Sequence, residues 1–224
     1  MLLTVRQHYL SSCEFLHFYL SATMAESSLP NPVDISKIEN FLAACKTMFW
    51  EEKVRYATEQ MKIMTQDEIV EVMKRVPSLF RYVPAEMRNL ACVAGTACIT
   101  MSECFQWVGP DLKASKSFVL HCLNESQKKE SWVIAQHADR SVLDDEEVVM
   151  AIVGKCGWCL RYLDKKWCAN RSVVLEAVSN FGAALQYVDE KLMDAEVVKA
   201  AVKNNNWAIF YAPEELRKKS LHTL

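Results

Sequence analysis

Asp145-Glu-Glu-Val-Val-Met-Ala-Ile-Val153, Arg171-Ser-Val-Val-Leu-Glu-Ala-Val178 and Ala195-Glu-Val-Val-Lys-Ala-Ala-Val202 are one phrase written three times. After a small turn, each is followed by Leu160-Arg-Tyr162, Leu185-Gln-Tyr187 or Ile209-Phe-Tyr211. The period is about 25 residues, within the range of known repeats, and such units bury their apolar faces only against their neighbours. The fold class expected is therefore all-α, with tandem helical repeats of about 25 residues forming a short α-solenoid.

The Tyr column extends upstream through His137, Trp107, Tyr82 and Tyr56, with one longer step between Trp107 and His137. Two places before this anchor stand Val54, Phe80, Phe105, Ala135, Leu160, Leu185 and Ile209, all apolar. Five places after it stand Met61, Met87, Leu112, Val142, Trp167, Leu192 and Leu216, again all apolar. Two places after it stand Thr58, Pro84, Gly109, Asp139, Asp164, Asp189 and Pro213, which are turn formers or helix starters. Each unit reads as a helix carrying the Val-Val pair, a turn, a short helical segment ending at the anchor, and a final helical turn. Asp145, Asn170 and Asp194 are placed to cap the Val-Val helices. Gly157, Gly182 and Asn206 fall where a left-handed C-cap is expected.

These columns divide the chain into an N-terminal extension over 1–33, a degenerate capping unit over 34–64, six units over 65–218 and a tail over 219–224. In the capping unit Ser36 is the expected N-cap, with Phe41, Leu42 and Cys45 facing inward. The longer step is assigned to the polar run Asn124–Ser131, read as a surface loop.

Net charge is −2 and no long run of Lys or Arg appears, so no electrostatic footprint for nucleic acid is expected. No stretch is long and apolar enough to span a membrane. Nine Cys scattered through apolar columns read as small core residues in a reducing compartment, which points to the cytoplasm. Leu2–Leu20 is interrupted by Arg6, His8, Glu14 and His17 and lacks a cleavage site; its early Arg leaves organelle targeting as the alternative. Asn124-Glu-Ser and Asn170-Arg-Ser match the glycosylation pattern, which without a secretory signal is given no weight.

Val197-Val-Lys-Ala-Ala-Val-Lys-Asn-Asn-Asn-Trp-Ala-Ile-Phe-Tyr-Ala-Pro-Glu-Glu-Leu-Arg217 closely resembles the repeat of the family known as domain of unknown function 4116. Val173 to Leu192 is similar to it, and Val148 to Trp167 follows, with the likeness fading toward the N-terminus. The resemblance implies tandem helical arrays and carries no catalytic residue.

Cys156-Gly-Trp-Cys159 is the sharpest local motif, since a CxxC is either a redox pair or half of a zinc site. Its columns argue for core, because Cys156 shares a position with Phe181 and Asn205, and Cys159 with Ala184 and Ala208. His137 stands in the aromatic column without a carboxylate or nucleophile placed beside it by any motif. The recurring rings read as packing between units, with a stacking ladder for a ligand as the alternative. The function expected is a non-catalytic scaffold for a protein or peptide, with no cofactor and no metal. Its partner face is placed on Met150, Lys155, Lys199 and Lys203. Thiol-dependent redox or zinc binding at Cys156 and Cys159 is the alternative.

Overall fold

The computed structural model describes residues 33–126 and 131–221. These residues are mostly helical, and no strand occurs among them. The extension up to residue 32, the centre of the 124–131 run and the last three residues lie outside the described residues.

The three Val-Val phrases are ten-residue helices, Glu146–Lys155, Arg171–Asn180 and Ala195–Asn204. Asp145, Asn170 and Asp194 each accept from two backbone N–H groups of the first turn, which otherwise have no intrahelical partner. Val148, Val149, Ile152 and Val153 are buried, as are their counterparts Val173, Val174, Ala177 and Val178. Each helix stops at a residue in extended conformation, Cys156, Phe181 or Asn205, with φ of −149°, −143° and −147°. A six-residue 3₁₀ helix follows and ends at the anchor: Gly157–Tyr162, Gly182–Tyr187 and Asn206–Tyr211. Asp164 and Asp189 then cap a further short turn through the backbone N–H groups of Lys166 and Lys191. The last helix, Glu214–Leu221, runs past the boundary expected at residue 218.

The same order of elements occurs upstream as Gln66–Arg75 with Pro77–Tyr82, and as Ala91–Thr100 with Ser102–Trp107. It recurs once more as Lys116–Glu125 with Trp132–His137, but there the second segment is α-helical. Consecutive long helices pack on one another, and so do consecutive anchor-bearing segments. The core forms two clusters that meet at the Glu146–Lys155 helix. Val148 and Ile152 belong to the first, and Val149 and Val153 to the second.

Four further details differ from the sequence reading. Gly157 and Gly182 are not left-handed C-caps but the first residues of the 3₁₀ helices. A Cβ on Gly157 would lie 2.1 Å from the Ala177 carbonyl oxygen, and one on Gly182 would lie 2.3 Å from that of Ala201. The column is glycine because the next helix along the chain presses its backbone against it. Asn206, the first residue of the third 3₁₀ helix, is exposed and carries a side chain there. Second, Asp34 rather than Ser36 caps the first helix, Ile35–Thr47, by accepting from the Lys37 N–H. Third, Tyr56 and Thr58 lie inside the Trp50–Met61 helix, where the Thr58 hydroxyl donates to the Val54 carbonyl at 2.8 Å instead of capping. Fourth, Asn124 and Glu125 complete the Lys116–Glu125 helix, and Ser126 and Ser131 at the edges of the polar run are buried. Phe41, Leu42 and Cys45 do face inward.

Candidate functional site

Cys156 occupies the extended residue between helices and Cys159 lies in the following 3₁₀ helix, so backbone geometry turns both thiols inward. Both are free and buried, Cys159 completely. The hydrogen bond between the two thiols, working against burial, and the N–H groups of Trp158 and Cys159 hold the Cys156 thiol below its ordinary value. The same contact, together with burial, pushes Cys159 far above it. Ser131 Oγ lies 3.7 Å from Cys159 Sγ and donates to the Ile152 carbonyl, tying the pair into the first core cluster. Among the described residues no three His, Cys, Asp or Glu side chains are grouped to hold a metal ion. Cys168 lies apart, its thiol turned to the Leu160 carbonyl and raised by burial.

The four residues expected to form a partner face divide. Lys199 and Lys203, one turn apart, are exposed. Met150 is half-buried and packs on the second core cluster. Lys155 is half-buried, and its Nζ donates to the Ser126 carbonyl at 2.7 Å. Desolvation lowers its pKa, and the contact ties its helix to the end of the Lys116–Glu125 helix.

Connections between successive long helices account for polar residues that the sequence reading passed over. Asn180, the last residue of its helix, accepts from the Gly157 N–H at 3.1 Å and donates to the Gly154 carbonyl at 2.6 Å. Asn204, at the same position one helix later, accepts from Gly182 at 2.8 Å and donates to the Ser179 and Asn180 carbonyls. At the opposite end of the helices, Lys116 pairs with Asp145 and Glu147, and Arg171 with Asp194 and Glu196. In the turn column, Gly109, Asp139 and Asp189 donate their backbone N–H to the Arg88, Lys113 and Cys168 carbonyls. The signal for the Asn connectors was a shared column at helix position ten, but helix ends attract Asn for local reasons as well.

The anchor rings Tyr82, Trp107, His137, Tyr162 and Tyr187 are all half-buried. Burial, with the charge of Lys113, lowers the His137 pKa. The residue before each of these rings is exposed and polar: Arg81, Gln106, Gln136, Arg161 and Gln186. Arg81 lies over the rings of Trp50, Tyr82 and Trp107, at 5.8, 5.8 and 4.8 Å from their centroids. Arg161 lies over Trp158 and Tyr162 at 5.4 and 5.1 Å. Gln106 and Gln186 each donate Nε2 to the carbonyl three residues back at 3.0 Å, which fixes the carboxamide on the surface. On this face a cavity of about 240 Å³ opens between Gln136 and Asp164, with Tyr162 in its lining. Ala135 and Ala138 line it at columns filled elsewhere by Phe80, Phe105, Leu160 or Leu185 and by Val83, Val108, Leu163 or Val188.

No helix among the described residues is long and apolar enough to cross a membrane. No curated protein and no solved structure matches the chain. Residues 170–217 match the model of a family described as Domain of unknown function (DUF4116), the family that the stretch from Val173 to Arg217 resembles.

Proposed function

We propose that the chain is a non-catalytic scaffold, a short α-solenoid of tandem units of about 25 residues, which binds a protein or peptide along one face. The observation that carries this reading is the recurrence of the connectors. Asn180 and Asn204 do the same work one helix apart, and Lys116 and Arg171 make the same pair of acidic contacts. Side chains committed to joining successive helices leave the exposed polar column and the half-buried rings, with Lys199 and Lys203, as surface available to a partner. The buried free thiols fit a reducing compartment such as the cytoplasm.

A second reading, thiol chemistry at the CxxC, is favoured by the lowered Cys156 thiol. Complete burial of Cys159 weighs against it, because thiol exchange needs access to the attacked sulfur.

The two readings separate in one experiment. Full-length protein and its Cys156→Ser, Cys159→Ser double variant are used as bait, with bound polypeptide quantified and metal and mixed disulfides assayed in the same eluate. The scaffold predicts saturable, stoichiometric polypeptide binding that survives the double substitution. Stoichiometric zinc, or a mixed disulfide through Cys156, would overturn it in favour of the thiol site.

A further inference from the structure

We infer that Arg88 and Lys113, with Arg81 beside them, form a seat for an oxyanion, carboxylate or phosphate, carried by an acidic side chain of the bound polypeptide. The inference deepens the scaffold reading and rests on it for the partner being a polypeptide.

Position brings the cations together. Arg88 and Lys113 stand six places after the anchors Tyr82 and Trp107, one unit apart. Their carbonyls do the structural work of this column, accepting the Gly109 and Asp139 N–H groups at 3.1 and 3.0 Å. The fold asks nothing of their charge, since the column continues as Leu143, Cys168 and Met193. Lys113 Nζ donates to the Gln106 carbonyl at 2.7 Å, which sets the ammonium beside the Trp107 anchor, and Arg81 lies over the ring of that anchor at 4.8 Å. Arg88 Nε is buried and has no hydrogen-bond partner among the described residues.

Charge selects the guest. None of Arg81, Arg88 and Lys113 enters an ion pair among the described residues, whereas Lys116 and Arg171, which also bridge units, each hold two carboxylates. The nearby carboxylates are engaged elsewhere: Asp111 accepts from Asn89 Nδ2, Asp139 from the Ser141 hydroxyl and N–H, and the charge of Glu103 is felt at the Cys104 thiol, which it helps to raise. Burial and the charge of Arg88, opposed only by Cys98, lower the Lys113 pKa; burial and the charge of Lys113 lower that of His137. No carboxylate contributes to either shift. Half-buried cations that repel one another gain from a shared anion the counter-ion that the chain does not give them.

The test is an amide NMR titration of the full chain with capped pentapeptides, each with two glycines on either side of a central glutamate, phosphoserine or glutamine, and with inorganic phosphate. The glutamate or the phosphoserine peptide is expected to shift residues 88–89, 106–113 and 137 saturably, the tighter of the two naming the oxyanion, with glutamine at least about fivefold weaker for want of the charge. Lys113→Gln keeps a donor for the Gln106 carbonyl while removing the charge, and Arg88→Gln removes the charge one unit earlier. Each is expected to weaken the acidic peptide by a similar factor and to leave the spectrum otherwise native. Lys46→Gln, which removes an exposed charge from the Ile35–Thr47 helix, is expected to leave the affinity unchanged. Equal binding of the glutamine peptide, inorganic phosphate as tight as either acidic peptide, an unchanged affinity in either charge variant that keeps its fold, or an equal loss in Lys46→Gln would overturn the seat. If the full chain captures a polypeptide and the Arg88→Gln, Lys113→Gln double variant captures it equally, the seat fails and the scaffold stands. If no polypeptide binds at all, both fail.

Discussion

Gly182→Ala tests how closely successive helices approach. The new Cβ would lie 2.3 Å from the Ala201 carbonyl oxygen and 3.1 Å from both the Asn205 nitrogen and its Cβ. A carbon meets a carbonyl oxygen comfortably at about 3.3–3.6 Å, so the two backbones must separate by roughly 1 Å. Neither side is soft. The Ala201 oxygen already accepts from the Asn205 N–H at 2.9 Å, and the Gly182 N–H is held by Asn204 at 2.8 Å. Overpacking of this kind costs about 1–3 kcal/mol, and a lost or stretched hydrogen bond about 0.5–1.5 kcal/mol more. The expected destabilisation is therefore about 2–4 kcal/mol, which in a chain of this size lowers Tm by roughly 5–15 °C. Urea unfolding followed by circular dichroism measures it, with Asn206→Ala as control because that position is the equivalent one and is exposed. A Gly182→Ala variant within about 0.5 kcal/mol of wild type would refute the crowding and return the column to a matter of local conformation.

Leu185 is fully buried, so Leu185→Ala should cost about 2–5 kcal/mol by thermal or chemical unfolding; Leu192, half-buried in the same chain segment, should cost distinctly less. Asn204→Ala removes the acceptor of the Gly182 N–H and the donor to two carbonyls, and a loss of about 1–3 kcal/mol is expected, with faster hydrogen exchange at Gly182 as its local signature. Burial raises the Glu68 pKa, but the Lys37 and Thr65 hydrogen bonds and the Lys37 charge outweigh it, so the folded value lies below the ordinary one. Its contribution is therefore present above the unfolded pKa, near pH 4.3, and lost as pH falls through the lower folded value. Accordingly Glu68→Gln should be less stable than wild type at pH 7, with the gap in Tm closing toward pH 3; a gap that is constant with pH would contradict the linkage.

What the sequence made legible was burial. The apolar columns at Leu160 and Leu185, the caps Asp145, Asn170 and Asp194, and the turn before each anchor all leave a periodic trace, because every unit repeats the same inside and outside. What lies across an interface leaves no such trace. Gly157 looks like a cap from its own segment and is explained only by Ala177, about twenty residues away. Lys155 looks like a solvent-facing charge until the Ser126 carbonyl is found beneath it. The cavity was hidden for the opposite reason: Ala135 and Ala138 satisfy an apolar column as well as Leu or Val, and a column records polarity but not missing volume. Tyr56 kept the spacing of the anchor without its 3₁₀ setting, because the Trp50–Met61 helix runs straight through the position.

The helix Glu146–Lys155 presents Val148 and Ile152 to one core cluster and Val149 and Val153 to the other. Much of the free energy that makes the two halves melt together passes through this helix and the Gly157–Tyr162 segment after it, whose Cys159 and Leu160 also fall in different clusters. Packing lost on either side of it would uncouple the halves before it unfolded either one. Residues beyond Asn170 could then open as a separate cooperative block while residues before Asp144 stay protected.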